Sequence, residues 1–256
     1  MLRVRVIPCL LLSDGQLVKT VKFKNAKYIG DPINAVHIFN EKEVDELVFL
    51  DISATPAGKE PDYDLIKDIA GEAFMPLSYG GGITHIEQIK RLYKLGVEKI
   101  IMNTAATNAS LVSEAASIAG CSGVVVSMDV RRNLFGKYSV YVAGGKRDTK
   151  LDPVSYAREI ERCGAGEILL NAIDRDGTLQ GYDLELISQV TAAVNVPVVA
   201  VGGAGDINHF RQAVDCGAAA VGAGSLFVLH GRHRAVLITY PEYHQLEQLF
   251  NERKSE

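Results

Sequence analysis

Hydrophobic residues along the chain are concentrated in eight short runs that are almost continuously apolar. The runs cover residues 4–12, 47–52, 75–79, 98–103, 123–130, 166–173, 197–202 and 219–223. Strands with one face in water alternate apolar and polar residues, whereas strands buried on both faces do not. The pattern therefore predicts eight strands of a parallel sheet.

Helical periodicity marks the segments between these runs, with examples at 62–73, 85–95, 153–163, 183–194 and 206–216. An aspartate stands at the expected N-cap of three segments: Asp62, Asp183 and Asp206. A glycine stands just beyond the end of three: Gly96, Gly164 and Gly217. Alternating strands and helices indicate an α/β fold.

Eight strand–helix units within 256 residues predict a (β/α)8 TIM barrel that occupies residues 1–256 as a single domain. An open doubly wound sheet is the alternative. It is less favoured because no GxGxxG motif follows the first strand.

Similar residues recur at the strand ends at about half the chain length, which predicts a barrel built from two half-barrels. The spacing is 123 residues for the first of three pairs and 122 for the other two: Asp51 and Asp174, Gly81 and Gly203, and Asn103 and Ser225. Such a repeat would bring two copies of one site to the same rim of the barrel.

Composition excludes several classes of protein. Hydrophobic residues make up 47% and charged residues 23%, which excludes intrinsic disorder, and a net charge of −4 argues against nucleic acid as a partner. No stretch approaches the ~18 apolar residues of a membrane span, and the first residues predict a strand rather than a signal peptide. Four scattered cysteines form no CxxC pair, so we expect no metal site and a reduced, cytoplasmic location.

Glycine-rich strand ends followed by helices form two candidate phosphate sites, because bare backbone N–H groups and the helix dipole favour anions. The first comprises Gly80, Gly81, Gly82, Asn103 and Thr104, and the second Asp176, Gly177, Gly202, Gly203, Gly224 and Ser225. A single glycine pair would more simply make a tight turn. Two clusters at the repeat spacing favour an elongated ligand with a phosphate at each end.

Asp129 ends the apolar run VVVSMDV, where an ionisable side chain would face the barrel mouth. One interpretation is a general acid or base. The other is a structural carboxylate paired with Arg131 or Arg132, and the sequence favours neither.

Motifs along nearly the whole chain resemble the HisF family, the cyclase subunits of imidazole-glycerol-phosphate synthase. They include IPCL at 7–10, DELVFLDI at 45–52, GGGI at 80–83, IDRDGT at 173–178, GGAG at 202–205 and GSLF at 224–227. The resemblance implies a (β/α)8 barrel without a cofactor. It also implies a glutaminase partner, HisH, whose ammonia crosses the barrel to a bisphosphorylated ribulosyl substrate and yields imidazole glycerol phosphate.

The chain departs from the family pattern at its first catalytic position. The family uses two aspartates as acid and base; Asp129 matches the second, but Leu11 replaces the first. Asp14 matches a different loop residue and is not an obvious substitute. Three further mouth positions differ from the family: Gly144 and Val201 each replace a serine, and Asn171 replaces a threonine.

Other family features are kept. Lys19 lies on the loop after strand one, which closes over ligand in the family. Charged residues begin strands one, two, four and six: Arg5, Glu46, Lys99 and Glu167. Because buried charges are costly unless paired, we expect two cations and two anions to form a ring. Its role could be stability alone, but the resemblance implies the gate by which ammonia enters.

Loss of a catalytic aspartate with retention of the gate suggests that ammonia passage has outlived cyclisation. The pattern resembles HisF paralogues that serve sugar amidotransferases, which convert acetamido groups of nucleotide sugars into acetamidino groups. Two alternatives remain: a working cyclase in histidine biosynthesis, and a non-catalytic scaffold that activates the glutaminase.

Overall fold

Eight parallel strands form a closed barrel in the computed structural model, which describes residues 4–133 and 135–251. The barrel strands are β1 (Arg5–Ser13), β4 (Leu47–Asp51), β5 (Leu77–Gly80), β6 (Lys99–Met102), β7 (Val124–Arg132), β10 (Glu167–Ala172), β11 (Val198–Val201) and β12 (Ala220–Ala223). Each strand pairs in parallel with the next, and β12 pairs with β1 to complete the circle. The predicted (β/α)8 barrel is therefore confirmed.

Helices surround the barrel in the order α1 (Pro32–Glu41), α2 (Ala54–Ala57), α3 (Tyr63–Glu72), α4 (Ile86–Lys94), α5 (Ala109–Ala119), α6 (Pro153–Arg162), α7 (Leu184–Thr191), α8 (Asn208–Asp215), α9 (Ser225–Val228) and α10 (Tyr243–Asn251). Short 3-10 turns cover Thr104–Thr107 and Cys121–Gly123. Among the described residues, no helix combines the length and apolar character needed to cross a membrane.

Two of the three predicted helix caps are confirmed. Asp62 accepts a hydrogen bond from the N–H of Leu65, and Asp183 from that of Leu186. The prediction for Asp206 is wrong, because an extra turn precedes α8; its carboxylate accepts from Asn208 N inside that turn. The three predicted terminal glycines all have φ near +99°, the left-handed conformation that glycine adopts without a Cβ clash: Gly96, Gly164 and Gly217.

Two separate apolar clusters hold the fold together. The larger cluster fills the layer between the barrel and the helices. The smaller one fills the barrel interior and consists of Ile7, Cys9, Val48, Ile101, Val125, Leu169, Val199, Val201 and Ala220. Because strand residues alternate between these two clusters, each strand is apolar throughout, as its sequence indicates.

Hairpins after β1 and β7 extend the sheet beyond the carboxyl ends of the barrel strands, and a third hairpin forms a separate two-stranded sheet. The segment after β1, predicted as a loop, forms the antiparallel pair β2 (Gln16–Val21) and β3 (Lys24–Gly30). Strands β8 (Tyr138–Val142) and β9 (Arg147–Asp148) follow β7, and β13 (Leu229–His230) pairs with β14 (Ala235–Val236) near the C-terminus. The first two hairpins contribute residues to the wall of the barrel mouth.

Candidate functional site at the barrel mouth

A cavity of about 550 Å³ opens at the carboxyl ends of the strands. Active sites of (β/α)8 enzymes lie at this end, where loops from separate strands converge. All mouth residues predicted from sequence line this one cavity: Leu11, Lys19, Asp129 and the two glycine-rich clusters. Closure of the barrel therefore brings together residues that are far apart in the chain.

The first glycine cluster is packed tightly against neighbouring backbone. A Cβ on Gly81 would lie 2.5 Å from the carbonyl oxygen of Asp51, so only glycine fits there. The N–H of Gly82 already donates to Thr55 Oγ1 at 3.2 Å. Close packing alone thus explains part of this cluster, as the simpler tight-turn interpretation expected.

The second cluster has equally little room for side chains. A Cβ on Gly203 would lie 2.2 Å from the carbonyl oxygen of Gly181, and one on Gly177 would lie 2.4 Å from that of Thr20. Ser225 lies beside them, and its buried hydroxyl has no hydrogen-bond partner within residues 4–133 and 135–251. A ligand with anionic oxygens at this rim would give that hydroxyl a partner.

Lys19 is buried in β2, and its ammonium group lies 3.0 and 3.2 Å from the two carboxylate oxygens of Asp176. The backbone N–H of Asp176 donates to the carbonyl oxygens of Ala172 and Ile173. Asp176, predicted as a phosphate ligand, therefore contributes to the rim chiefly by holding a cation in place. The Lys19 side chain also approaches Gly224 of the second cluster.

Asp129 is buried and lies between two side-chain amides. Asn103 Nδ2 donates to one carboxylate oxygen at 3.2 Å, and Asn171 Nδ2 donates to the other at 3.4 Å. Burial raises the pKa of Asp129 to about 7; the hydrogen bond from Asn171 opposes that rise, and the charge of Asp176 adds to it. Such a pKa suits a group that both takes and gives a proton near neutrality.

The two arginines considered as partners of Asp129 point elsewhere. Arg131 lies over the ring of Tyr141 and reaches Asp174 at 3.8 Å. Arg132 pairs with Glu185 at 2.6 Å. The interpretation of Asp129 as an arginine-paired structural carboxylate is therefore wrong.

Four charged residues close the opposite end of the barrel as a ring. Arg5 donates to both Glu46 and Glu167, while Lys99 lies 2.9 Å from each of the same two carboxylates. Burial alone would raise the pKa of Glu46, but Lys99, the Ser78 hydroxyl and Arg5 together lower it below its ordinary value. The expected pairing of these charges is confirmed.

Known proteins match the sequence of this chain along most of its length. A family profile described as "Histidine biosynthesis protein" matches residues 5–233. A Pseudomonas aeruginosa protein named "Putative imidazole glycerol phosphate synthase subunit hisF2" is 52% identical over 96% of this chain and 99% of its own length. The chain belongs to the HisF family.

HisF relatives with two kinds of name match this chain. A Vibrio vulnificus protein, "Putative imidazole glycerol phosphate synthase subunit hisF3", is 49% identical over 94% of each chain. The Thermobifida fusca protein named "Imidazole glycerol phosphate synthase subunit HisF" is 44% identical over 88% of this chain and 91% of its own. The chain thus has greater identity to the numbered HisF copies than to that HisF.

The positions at which the resemblance implies departures from the HisF pattern all line the cavity. Leu11, half-buried in β1, lies in register with Leu50 of β4, and both line the mouth together with Val201. Gly144 and Asn171 line it as well. Part of the wall is therefore apolar, whereas Asp129 lies between two side-chain amides.

The hydrogen bonds that position the mouth carboxylates were not predicted from the sequence. Asn103 was predicted as a phosphate ligand, but its amide donates to Asp129 and to the carbonyl oxygen of Ser127. Asp51, noted only for the repeat, accepts hydrogen bonds from Ser53 N, Ser53 Oγ and Ala54 N. Both residues lie at strand ends, and that position was the sequence feature that could have indicated these contacts. Lys146, from the loop between β8 and β9, also lines the cavity, and no sequence motif marked it.

No set of three or more His, Cys, Asp or Glu side chains suited to a metal ion occurs in the part of the chain that the structure describes. Asp129 and Lys19 at the mouth can supply proton transfer and anion binding.

Proposed function

We propose that this HisF-family barrel receives ammonia from a HisH-like glutaminase and passes it to a sugar amidotransferase that makes acetamidino sugars. Leu11 carries the proposal. Three carboxylates of the described residues line the mouth. Asp51 accepts three local hydrogen bonds and Asp176 pairs with Lys19, which leaves Asp129 as the candidate for proton transfer. Loss of one general acid or base typically lowers a rate about 10²–10⁴-fold.

The apolar barrel interior favours a small neutral molecule over an ion. Apolar side chains occupy it between the gate and the mouth, and burial raises the pKa of the Cys9 thiol to about 12, so the thiol stays uncharged. Charged species pay a large desolvation cost in such surroundings, whereas neutral ammonia does not. The gate, Arg5, Glu46, Lys99 and Glu167, is the proposed entrance.

The glutaminase would dock at the gate end, where Arg5 and Lys99 keep part of their side chains exposed. At the other end, the two glycine clusters would bind a phosphorylated small molecule, with Gly81, Gly82, Thr104, Gly177, Gly202, Gly203, Gly224 and Ser225 as its rim. Lys19 supplies a cation there. The four free cysteines fit a reducing, cytoplasmic setting.

A cyclase of histidine biosynthesis is the second candidate, and the pKa of Asp129 near 7 favours it. A single well-placed acid or base could support turnover if the substrate or water replaced the missing aspartate.

A cyclase assay with the bisphosphate substrate and ammonium salts separates the two candidates. We expect turnover at least about 100-fold below that of the Thermobifida fusca HisF, since an essential proton-transfer group is absent. Leu11→Asp should raise it, whereas the uncharged control Leu11→Asn should not. Turnover of the unaltered chain equal to that of the reference protein would contradict the proposal.

Blocking the barrel interior tests ammonia passage against a purely scaffolding role. Ala220 is fully buried in the interior cluster, so Ala220→Phe should stop glutamine-dependent product formation and spare the reaction fed by ammonium salts. Ala219→Phe, at the neighbouring exposed position, is the matched control. Glutamine-dependent activity that survives a folded Ala220→Phe barrel would favour the scaffold.

A further inference from the structure

Two hairpins beside the mouth carry a concentration of positive charge that the proposed chemistry does not use. Residues 16–30 contain four lysines and residues 225–241 contain two arginines and two histidines, and neither segment has an acidic residue. The chain as a whole has a net charge of −4, so this local excess is unusual. Five of these cations form what we call the basic rim: Lys22, Lys24, Lys27, Arg232 and Arg234.

Hydrogen bonds tie the two hairpins to each other and to the mouth. Lys27 Nζ donates to the carbonyl oxygen of Arg234 at 3.0 Å, and the Arg234 guanidinium donates to the carbonyl oxygen of Gly177. The N–H of Lys22 donates to the carbonyl oxygen of Asp176 at 2.9 Å. The basic rim is thus fixed beside the second glycine cluster rather than carried on independent loops.

The charges of the basic rim are not neutralised within the protein. Across residues 4–133 and 135–251, no carboxylate forms an ion pair with any of the five cations, whereas Lys59 pairs with Asp14 and Lys90 with Glu87. The three lysines are exposed. A negatively charged partner would therefore contact cations that no carboxylate of the described residues already pairs with.

Protection of a sheet edge explains only part of this arrangement. Strand β3 pairs with β2 alone, and lysines on an edge strand discourage aggregation. That role does not account for the arginines of the second hairpin. Nor does it account for the apolar surface on the same two hairpins, where Tyr28 is 57% exposed, Val236 45% and Leu237 50%. Aromatic, aliphatic and arginine side chains together are typical of protein interfaces.

We propose that the basic rim docks an acidic surface of the ammonia-consuming amidotransferase and seats that enzyme over the mouth. This inference rests on the proposed function, because ammonia released into bulk water would be diluted and protonated before use. A protein fits better than a small anion, since none of the five cations is among the cavity-lining residues that the structure describes and apolar side chains accompany them. Opposite charges would also speed and orient the encounter.

Charge reversal tests the surface. The triple variant Lys22→Glu, Lys24→Glu and Lys27→Glu is compared with the unaltered barrel for binding to a purified sugar amidotransferase from the same organism, by biolayer interferometry at low and high salt. We expect at least about a ten-fold loss of affinity, mainly in the association rate, and a weaker salt dependence. The control, Lys67→Glu with Lys94→Glu, changes exposed lysines on α3 and α4 and should bind normally. Matching melting temperatures would establish that each variant is folded.

Unchanged amidotransferase binding by the folded triple variant would overturn the docking surface and leave the proposed function intact. Binding of uridine diphosphate that the triple variant loses, with amidotransferase binding unaffected, would also overturn it in favour of a small-anion site. The proposed function itself would be refuted if the unaltered barrel did not bind the amidotransferase but did turn over the bisphosphate substrate.

Discussion

Replacing Asp129 with asparagine should stabilise the fold above neutral pH, although it removes the candidate catalytic group. Burial raises the pKa of Asp129 from 3.8 to about 7, so between these values the folded state binds more protons than the unfolded state. Its contribution to the free energy of unfolding therefore falls as pH rises from about 4 to 7 and stays low above 7. Three pKa units at roughly 1.4 kcal/mol each give about 4 kcal/mol at pH 8.

Asparagine at this position can keep one hydrogen bond to each neighbouring amide. Its oxygen can accept from Asn103, and its amide can donate to Asn171 Oδ1 once the Asn171 side-chain amide rotates by half a turn, because Asn171 now presents Nδ2 to this position. Asn171 then has one unpaired polar atom, as it has in the unaltered protein, so the electrostatic gain should not be offset by an additional unpaired polar group.

Urea unfolding of both proteins at pH 5 and pH 8 measures the effect. Two of the three pKa units lie above pH 5, so the stability advantage of Asp129→Asn should widen by about 3 kcal/mol between the two pH values. Asp129→Leu is the control, because it removes the charge but takes away the acceptor of Asn171 Nδ2 and one of the two acceptors of Asn103 Nδ2. It should show the same widening from a lower baseline. An advantage that is equal at pH 5 and pH 8 would refute the reasoning.

Two further perturbations probe the gate and the mouth. Lys99→Met leaves two buried carboxylates sharing one cation, so urea unfolding should show a loss of roughly 3 kcal/mol. Lys90→Met breaks an exposed pair and should change stability little. Equal losses from the two variants would contradict a special role for the ring. Gly145→Val would collide with the ring of Phe23, 2.9 Å from the new Cβ, and should expose the β2–β3 hairpin to limited proteolysis. Gly120→Val shares the positive φ but meets open space, so it should leave that hairpin protected.

Much of the fold could be predicted from sequence because each barrel strand is buried on both faces. The run at 47–52 matches β4 (Leu47–Asp51), and that at 219–223 matches β12 (Ala220–Ala223). The positive φ of three glycines could also be predicted from local sequence, since each glycine follows the end of a helix: Gly96, Gly164 and Gly217. The helix cap at Asp206 failed because an additional turn can precede a helix without altering its apolar period.

Side-chain partners in the mouth were harder to predict, because they join distant parts of the chain. Lys19 meets Asp176 across 157 residues of sequence, and Asn103 meets Asp129 across 26. Arg131 and Arg132 were considered as partners of Asp129 because they are close to it in sequence. In the structure Arg131 reaches Asp174 and Arg132 pairs with Glu185 instead.

The sequence by itself determined which residues reach the mouth and which reach the charged ring, because position along a buried strand fixes the end of the barrel at which a side chain lies. It also placed the apolar Leu11 where the family resemblance implies a catalytic aspartate. Only the tertiary structure decided what those side chains contact: that the ring of Arg5, Glu46, Lys99 and Glu167 closes, and that Asp129 lies between two amides. Hydrogen bonds and ion pairs depend on distances of a few ångströms between separate strands, and those distances exist only once the barrel has closed.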